Sequence, residues 1–248
     1  MTRVEGAVGG IAGRAEERFA RLRAEARTAA ADGTTARRLA EAADAAGGPA
    51  GGAGAVPSGW CVSTIARLAV NDPGALPEAA GAQAALRVAG PATLYPAESL
   101  HASLLGATQR EPSADFAPGR LRAIVAAVRE TAAGVPAAAV HLGRLNLLGA
   151  QWFVEATPAD DTWAALRGAL VAPFEGLGEV PIAYPDTEPI HLNVARLDRL
   201  DDPAAADALL AAPPDLDRWV TLRRIEVVVT DFLVTPATLR VLDTITLG

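Results

Sequence analysis

The chain has 248 residues, half of them apolar, and a net charge of −7. That length and apolar share suffice for one sizeable core or for two small lobes sharing one, and exclude a disordered chain. The acidic balance excludes a long electrostatic footprint on a nucleic-acid backbone, which needs clustered cations to displace counterions.

A small phosphorylated ligand or an RNA end stays open as a partner. All 22 basic residues are arginine, and Ala, Gly and Pro are abundant, which reflects a GC-rich codon bias rather than function. Cys61 stands alone, so an internal disulfide framework and a cysteine zinc site are excluded, and a reducing compartment is implied. It is expected to pack as a small apolar side chain on a strand. The first residues carry neither a basic start nor a continuous apolar stretch, and no run approaches the roughly 18 apolar residues of a bilayer span. A soluble cytoplasmic protein is the expectation.

In chain order, Ile11, Ala15, Phe19, Leu22, Ala26 and Ala29 form one apolar stripe at steps of three and four within a charged segment, the pattern of an amphipathic helix. Asp32-Gly33 interrupts it, and Thr34 or Thr35 can cap a second short helix to about Ala46. Residues 47–59 are Gly-, Ala- and Pro-rich and read as a linker. Residues 1–46 are therefore expected to be a helical appendage, docked for stability or dimerisation in preference to a substrate lid. Beyond the linker, Trp60 to Leu68 is strand-like, Leu76 to Val88 helical, and Ser99 to Leu105 a strand. Arg120 to Ala132 is helical, with a stripe of Leu121, Ile124, Val125 and Val128. Strands follow at Val140 to Leu147 and Gln151 to Ala156, a helix at Asp161 to Val171, a strand at Ile190 to Arg196 and a helix at Pro203 to Ala211. Trp219 to Val229 and Leu239 to Leu247 are expected to be closing strands. This order implies an α+β fold over residues 60–248, with two similar lobes, each an antiparallel sheet backed by helices, and a cleft between them.

Two of these strands read alike. Leu100-His101-Ala102-Ser103-Leu104 and Ile190-His191-Leu192-Asn193-Val194 each set a histidine in an apolar run with a hydrogen-bonding side chain two places later. A strand's period of two sends His101 and Ser103 to one face and Leu100, Ala102 and Leu104 to the other; His191 and Asn193 are likewise opposed to Ile190, Leu192 and Val194. The chain has only three histidines. Imidazole exists in both protonation states near neutrality, so a pair can divide labour: one takes a proton from water or a ribose hydroxyl, the other gives one to a leaving oxygen. Ser103 and Asn193 can donate hydrogen bonds to the non-bridging oxygens of a phosphate, where transition-state charge accumulates. No cluster with metal-ligand spacing accompanies them, and neither a metal nor a cofactor is expected.

These strands resemble the His-x-Thr/Ser motifs of the 2H phosphoesterase superfamily, which includes the 2′-5′ RNA ligase-like proteins and the cyclic nucleotide phosphodiesterases. The resemblance extends to Pro96-Ala97-Glu98-Ser99-Leu100 before the first motif and Ala195-Arg196 after the second, and covers residues 58 to 248 in order and spacing. It implies catalysis by His101 and His191 on a 2′,3′-cyclic phosphate or a 2′-5′ phosphodiester of a nucleotide or RNA end. Asn193 departs from the family's Thr or Ser, which weakens or redirects activity if its amide oxygen cannot turn from an anion.

Other features compete with these strands for a role. Tyr95 and Tyr184 precede the two motifs and can stack on a base at the cleft mouth, a role that competes with plain packing. His141 lacks a hydroxyl partner two places on and reads as structural. Arg196, if its strand is regular, faces away from His191, at the surface or in a salt bridge. Gly51-Gly52-Ala53-Gly54 lacks the strand and spacing of a phosphate loop. Three functions remain open: a metal-independent cyclic phosphodiesterase, a noncatalytic nucleotide-binding relic, and a pathway enzyme of secondary metabolism using the scaffold on another substrate. Oligomeric state is not legible.

Overall fold

The structure, a computed structural model, describes residues 8–34, 59–148, 151–182, 190–197, 200–231, 234 and 236–248. The expected second helix before Ala46 and nearly all of the Gly-rich linker lie outside them. The described elements are α1 (Val8–Ala31), β1 (Cys61–Arg67), α2 (Leu76–Ala85), β2 (Ala92–Leu94), β3 (His101–Gly106), α3 (Pro118–Ala132), β4 (Ala138–Leu148), β5 (Gln151–Pro158), α4 (Thr162–Gly176), β6 (Ile190–Leu197), α5 (Pro203–Ala211), β7 (Asp215–Leu222), β8 (Arg224–Thr230) and β9 (Arg240–Thr246).

The strands form one antiparallel sheet in the order β7-β4-β5-β6-β3-β1-β8-β9, with β2 also on β6. It divides into two halves of four strands, each carrying one histidine strand at its inner edge, and they meet where Ala102 of β3 pairs with Leu192 of β6. One face of both halves is covered by helices. Ile124 and Val128 of α3 and Leu166, Leu170 and Phe174 of α4 share one buried cluster with Leu104, Leu142, Val154, Leu192 and Val227 from the sheet. The α+β, two-lobed architecture is thus that expected from element order.

The segment expected as one closing strand, Trp219 to Val229, is two. Arg223 separates β7, which pairs with β4 at one end of the sheet, from β8, which pairs with β1 in the other half. One intervening residue cannot span the width of the sheet, because consecutive Cα atoms lie only about 3.8 Å apart. The sheet must therefore curl until its two halves approach, which turns a flat array into a cleft. Asn71 pins this crossover: its Oδ1 accepts from the amides of Arg223 at 2.7 Å and Arg224 at 2.8 Å, and its Nδ2 donates to the Arg224 carbonyl at 2.9 Å. The sequence carries one mark of the break, the Arg223-Arg224 pair at which the apolar alternation shifts from Val220 and Leu222 to Ile225 and Val227, but such a shift of phase does not tell that the two strands join different halves.

α1 docks on the sheet face that the other helices leave uncovered. Phe19 and Leu22 are buried against Phe153 of β5, while Ala26 and Ala30 join the main core, so the stripe read from the sequence faces the protein from Ala15 onward. Ile11's side chain lies outside the described residues. Arg27 Nε binds Asp207 of α5 at 3.0 Å, and the Arg23 guanidinium forms an ion pair with the buried Glu155 of β5.

Asn71→Ala deletes the three hydrogen bonds that hold the chain where it passes from β7 to β8, and a fourth to the Arg67 carbonyl. It is expected to lower unfolding stability by about 2 kcal/mol, the order of a lost set of backbone partners, read as a shift of the urea midpoint.

Candidate active site

β3 and β6 present their two faces as their sequences alternate. Ala102 and Leu104, and Leu192 and Val194, are buried in the core, while His101, Ser103, His191 and Asn193 are half-buried on the opposite face. Because β3 and β6 are sheet neighbours, all four line a single cavity of about 320 Å³. Ser63, Tyr95, Gln151 and Thr230 add hydroxyls and an amide to its wall, Arg110 and Asp231 add charge, and Ile65, Phe153, Ile182 and Val234 are apolar.

His101 is set by the turn before it. Ala97–Ser99 forms a single 3₁₀ turn, closed by Ser99 Oγ donating to the Pro96 carbonyl at 2.8 Å, and the Ser99 carbonyl lies 2.7 Å from His101 Nδ1. A carbonyl oxygen can only accept, so Nδ1 carries the hydrogen and the lone pair belongs to Nε2. Burial, with smaller contributions from His191 and Arg67, lowers the His101 pKa from 6.5 to about 4 although the Ser99 bond opposes it. The imidazole is neutral at pH 7. From behind, Arg167 of α4 donates to the Leu104 carbonyl at 2.9 Å and reaches that of Ser103 at 3.4 Å, which fixes the strand.

His191 stands opposite Glu155 in the β5–β6 register, and Asn193 opposite Phe153. The Phe153 ring meets the His191 ring edge-on with centroids 5.3 Å apart and lies 6.3 Å from the ring of Phe19 on α1. Tyr95 is buried rather than at an open mouth, and its hydroxyl donates to Gln151 Oε1 at 2.8 Å. Tyr184 lies outside the described residues. His141 sits on β4 against Trp219, with Nε2 3.0 Å from Asp217 Oδ1, and does not line the cavity. Cys61 is half-buried in the cavity wall rather than in the core, and burial pushes its thiol pKa up.

Arg196 corrects the expectation drawn from a regular strand. Ala195 pairs with Trp152 and Asn193 with Phe153, so Val194 is an extra residue, a β-bulge. The bulge turns Arg196 to face Gln151 on the same side as Asn193. Arg196 is 4% exposed, not at the surface, and its Nε has no hydrogen-bond partner among the described residues. Phe153, Gln151, Glu155 and Arg110 were not singled out from the sequence. The alternation Gln151, Phe153, Glu155 marks one face of β5, but only the β5–β6 register brings that face to His191.

No protein-family model matches the chain, and no curated protein matches it by sequence. Among solved structures it is similar to TT0787 of Thermus thermophilus, at 16% identity and a TM-score of 0.54, over 75% of this chain and 97% of that one. It is also similar to E. coli LigT complexed with 3′-AMP, at 12% identity and a TM-score of 0.52, over 77% of this chain and 99% of that one. A crystal structure of a phosphoesterase matches at 12% identity and a TM-score of 0.54, over 76% and 98%. LigT has further been seen with NADP+ and with ATP. The chain shares the two-lobed LigT fold.

The depressed His101 pKa has a consequence for stability. Between about pH 6.5 and pH 4 the unfolded chain takes up a proton that the folded chain refuses. The stability associated with the neutral ring is therefore present above pH 6.5 and lost as pH falls through that window. From pH 7 to pH 5 the protein is expected to lose about 2 kcal/mol more than a His101→Gln variant, measured by urea unfolding at both pH values.

Proposed function

We propose that this LigT-like chain is a 2H phosphoesterase that opens 2′,3′-cyclic phosphates of nucleotides or RNA ends by acid–base catalysis between His101 and His191. The observation that carries the reading is the meeting of both histidines, each with its hydrogen-bonding companion, in one cavity. His101, neutral with Nε2 unprotonated, is the base: it removes a proton from water as the water oxygen forms a bond to phosphorus. His191, protonated, gives its proton to the ribose oxygen as the bond from phosphorus to that oxygen breaks. The product is a phosphomonoester, and the proton taken up at one imidazole is matched by that released at the other.

Ser103 and Asn193 donate to the non-bridging oxygens as charge grows there. The apolar part of the wall, Phe153 with Ile65, suits the flat face of a base, and the Tyr95 hydroxyl, held by Gln151, is a fixed polar group beside it. LigT binds 3′-AMP, NADP+ and ATP, which supports a small nucleotide as the class of ligand here. Among the described residues no three His, Cys, Asp or Glu come together as a metal's ligand set, and the two imidazoles supply both proton transfers without one. No described helix is long and apolar enough to cross a membrane.

The test is a panel of 2′,3′-cyclic nucleotides, ADP-ribose 1″,2″-cyclic phosphate and RNA oligomers with a cyclic end, assayed in EDTA. Turnover is expected to survive the chelator, and either His101→Ala or His191→Ala to lower it by roughly 10²–10⁴-fold with the fold retained. Loss of activity in EDTA, restored by a divalent ion, would overturn the mechanism.

A second measurement addresses Asn193. A hydroxyl rotates freely to donate, whereas an amide must also turn its acceptor oxygen from the phosphate; one well-placed donor contributes on the order of 3 kcal/mol. Asn193→Thr is expected to raise kcat on 2′,3′-cyclic nucleotides. A fall in rate would show that Asn193 fits some other phosphoester, as a pathway enzyme would require.

A further inference from the structure

The two imidazoles are flanked by arginine–glutamate pairs with buried carboxylates and opposite polarity, and one half of the second pair comes from the N-terminal helix. Arg67 stands opposite His101 in the β1–β3 register. It holds Glu226 of β8 through two hydrogen bonds of 2.5 and 2.6 Å, and Glu226 stands opposite Ile65, farther along the same face. In the other half the order reverses. Glu155 stands opposite His191, and its cation, Arg23, approaches from α1.

Both carboxylates are almost wholly buried, Glu226 at 2% and Glu155 at 3% exposure. Asn146 Nδ2 donates to Glu155 at 2.7 Å and to the Phe19 carbonyl of α1 at 3.2 Å, so the helix, the carboxylate and β4 are joined at one amide. Glu16 holds Arg23 from the outside at 2.8 Å.

We propose that α1 is a positioning element of the active site: Arg23 pins the Glu155 carboxylate beside His191, so that His191 meets an anion where His101 meets a cation. This arrangement divides two chemically identical side chains into a proton donor and a proton acceptor. Cross-strand partners have Cβ atoms about 4.5–5.5 Å apart, within the range where an opposite charge favours the ionised form of its neighbour. A buried carboxylate without a cation would itself take up a proton and lose that influence. Burial does raise the Glu155 pKa, and its bonds from Arg23 and Asn146 act against the rise. At His101, where burial is the leading cause, the Arg67 cation adds to the downward push and outweighs the opposing pull of the Glu226 carboxylate it holds.

Among the described residues, the ionisable groups around His191 are Glu155 on β5, His101 on β3 and, through Glu155, Arg23 and Glu16 on α1; Cys61, Tyr95, Arg110 and Asp231 line the same cavity. The inference rests on reading both histidines as proton carriers. Its test reads ionisation rather than turnover, so its failure is distinguishable from failure of the cyclic-phosphate reading.

With three histidines in the whole chain, isotope-labelled imidazoles can be titrated one by one by NMR in the full-length protein, assigned through single His→Gln changes. Glu155→Gln is expected to lower the His191 midpoint by about one unit or more. Arg23→Met should displace that midpoint and Arg23→Lys return it toward the parent, while His141 stays unmoved in all three. Should a single change prevent folding, judged by circular dichroism, Arg23→Met combined with Glu155→Gln removes both charges together; because the carboxylate is the nearer of the two, a smaller fall is expected. A His191 midpoint within about 0.2 units of the parent in every folded variant would overturn the proposal and leave α1 a purely structural helix.

Discussion

The site depends on one constraint, that β3 and β6 are neighbours in a single sheet. Each strand has one apolar face, and burying Ala102 and Leu104, or Leu192 and Val194, in the helix-covered core obliges its polar face to point the other way. Pairing at Ala102 and Leu192 then puts the two polar faces side by side. A one-residue slip in either strand would send a histidine into the core and a leucine or alanine into the cavity. The hydrophobic drive that holds the two lobes together and the geometry that brings two imidazoles together are thus the same interaction.

Curvature completes the cleft. The single residue between β7 and β8 curls the sheet until its two halves approach, and the Asn71 side chain bonds the backbone at that turn. α1 then takes part of the inner face of the second half. Its contacts run from Phe19 through Phe153 to the His191 ring, so a segment remote in sequence reaches the site through two aromatic side chains and one ion pair.

The site's electrostatics follow from where charges are buried. His101 is held away from bulk water and lies beside a guanidinium, both of which disfavour its protonated form. His191 lies beside a carboxylate instead. Under the proposed mechanism such asymmetry fixes in advance which imidazole gives the proton and which takes it, whereas two coupled imidazoles in identical environments would share a proton between them.

The local alternation of β3 and β6, the helical stripe of α1 and the order of strands and helices were legible in the sequence, because hydrophobic period reports local geometry directly: a period of two for His101 and Ser103, and steps of three and four for Phe19, Leu22 and Ala26. Three things were not. The bulge at Val194 that turns Arg196 toward Gln151 leaves no compositional mark; the break at Arg223 shows only as a shift in the phase of the apolar alternation, which does not say that the flanking strands belong to different halves; and the docking of α1 on β5 is one of several ways an apolar stripe can be buried. Each is settled by pairing between segments far apart in the chain, such as Glu155 with Arg23 at a separation of 132 residues. The sequence by itself determined which side chains would share a strand face. Only the tertiary structure decided which faces meet and which buried charge each imidazole sees, since both depend on strand register and on closure of the sheet, which arise from packing the whole chain at once.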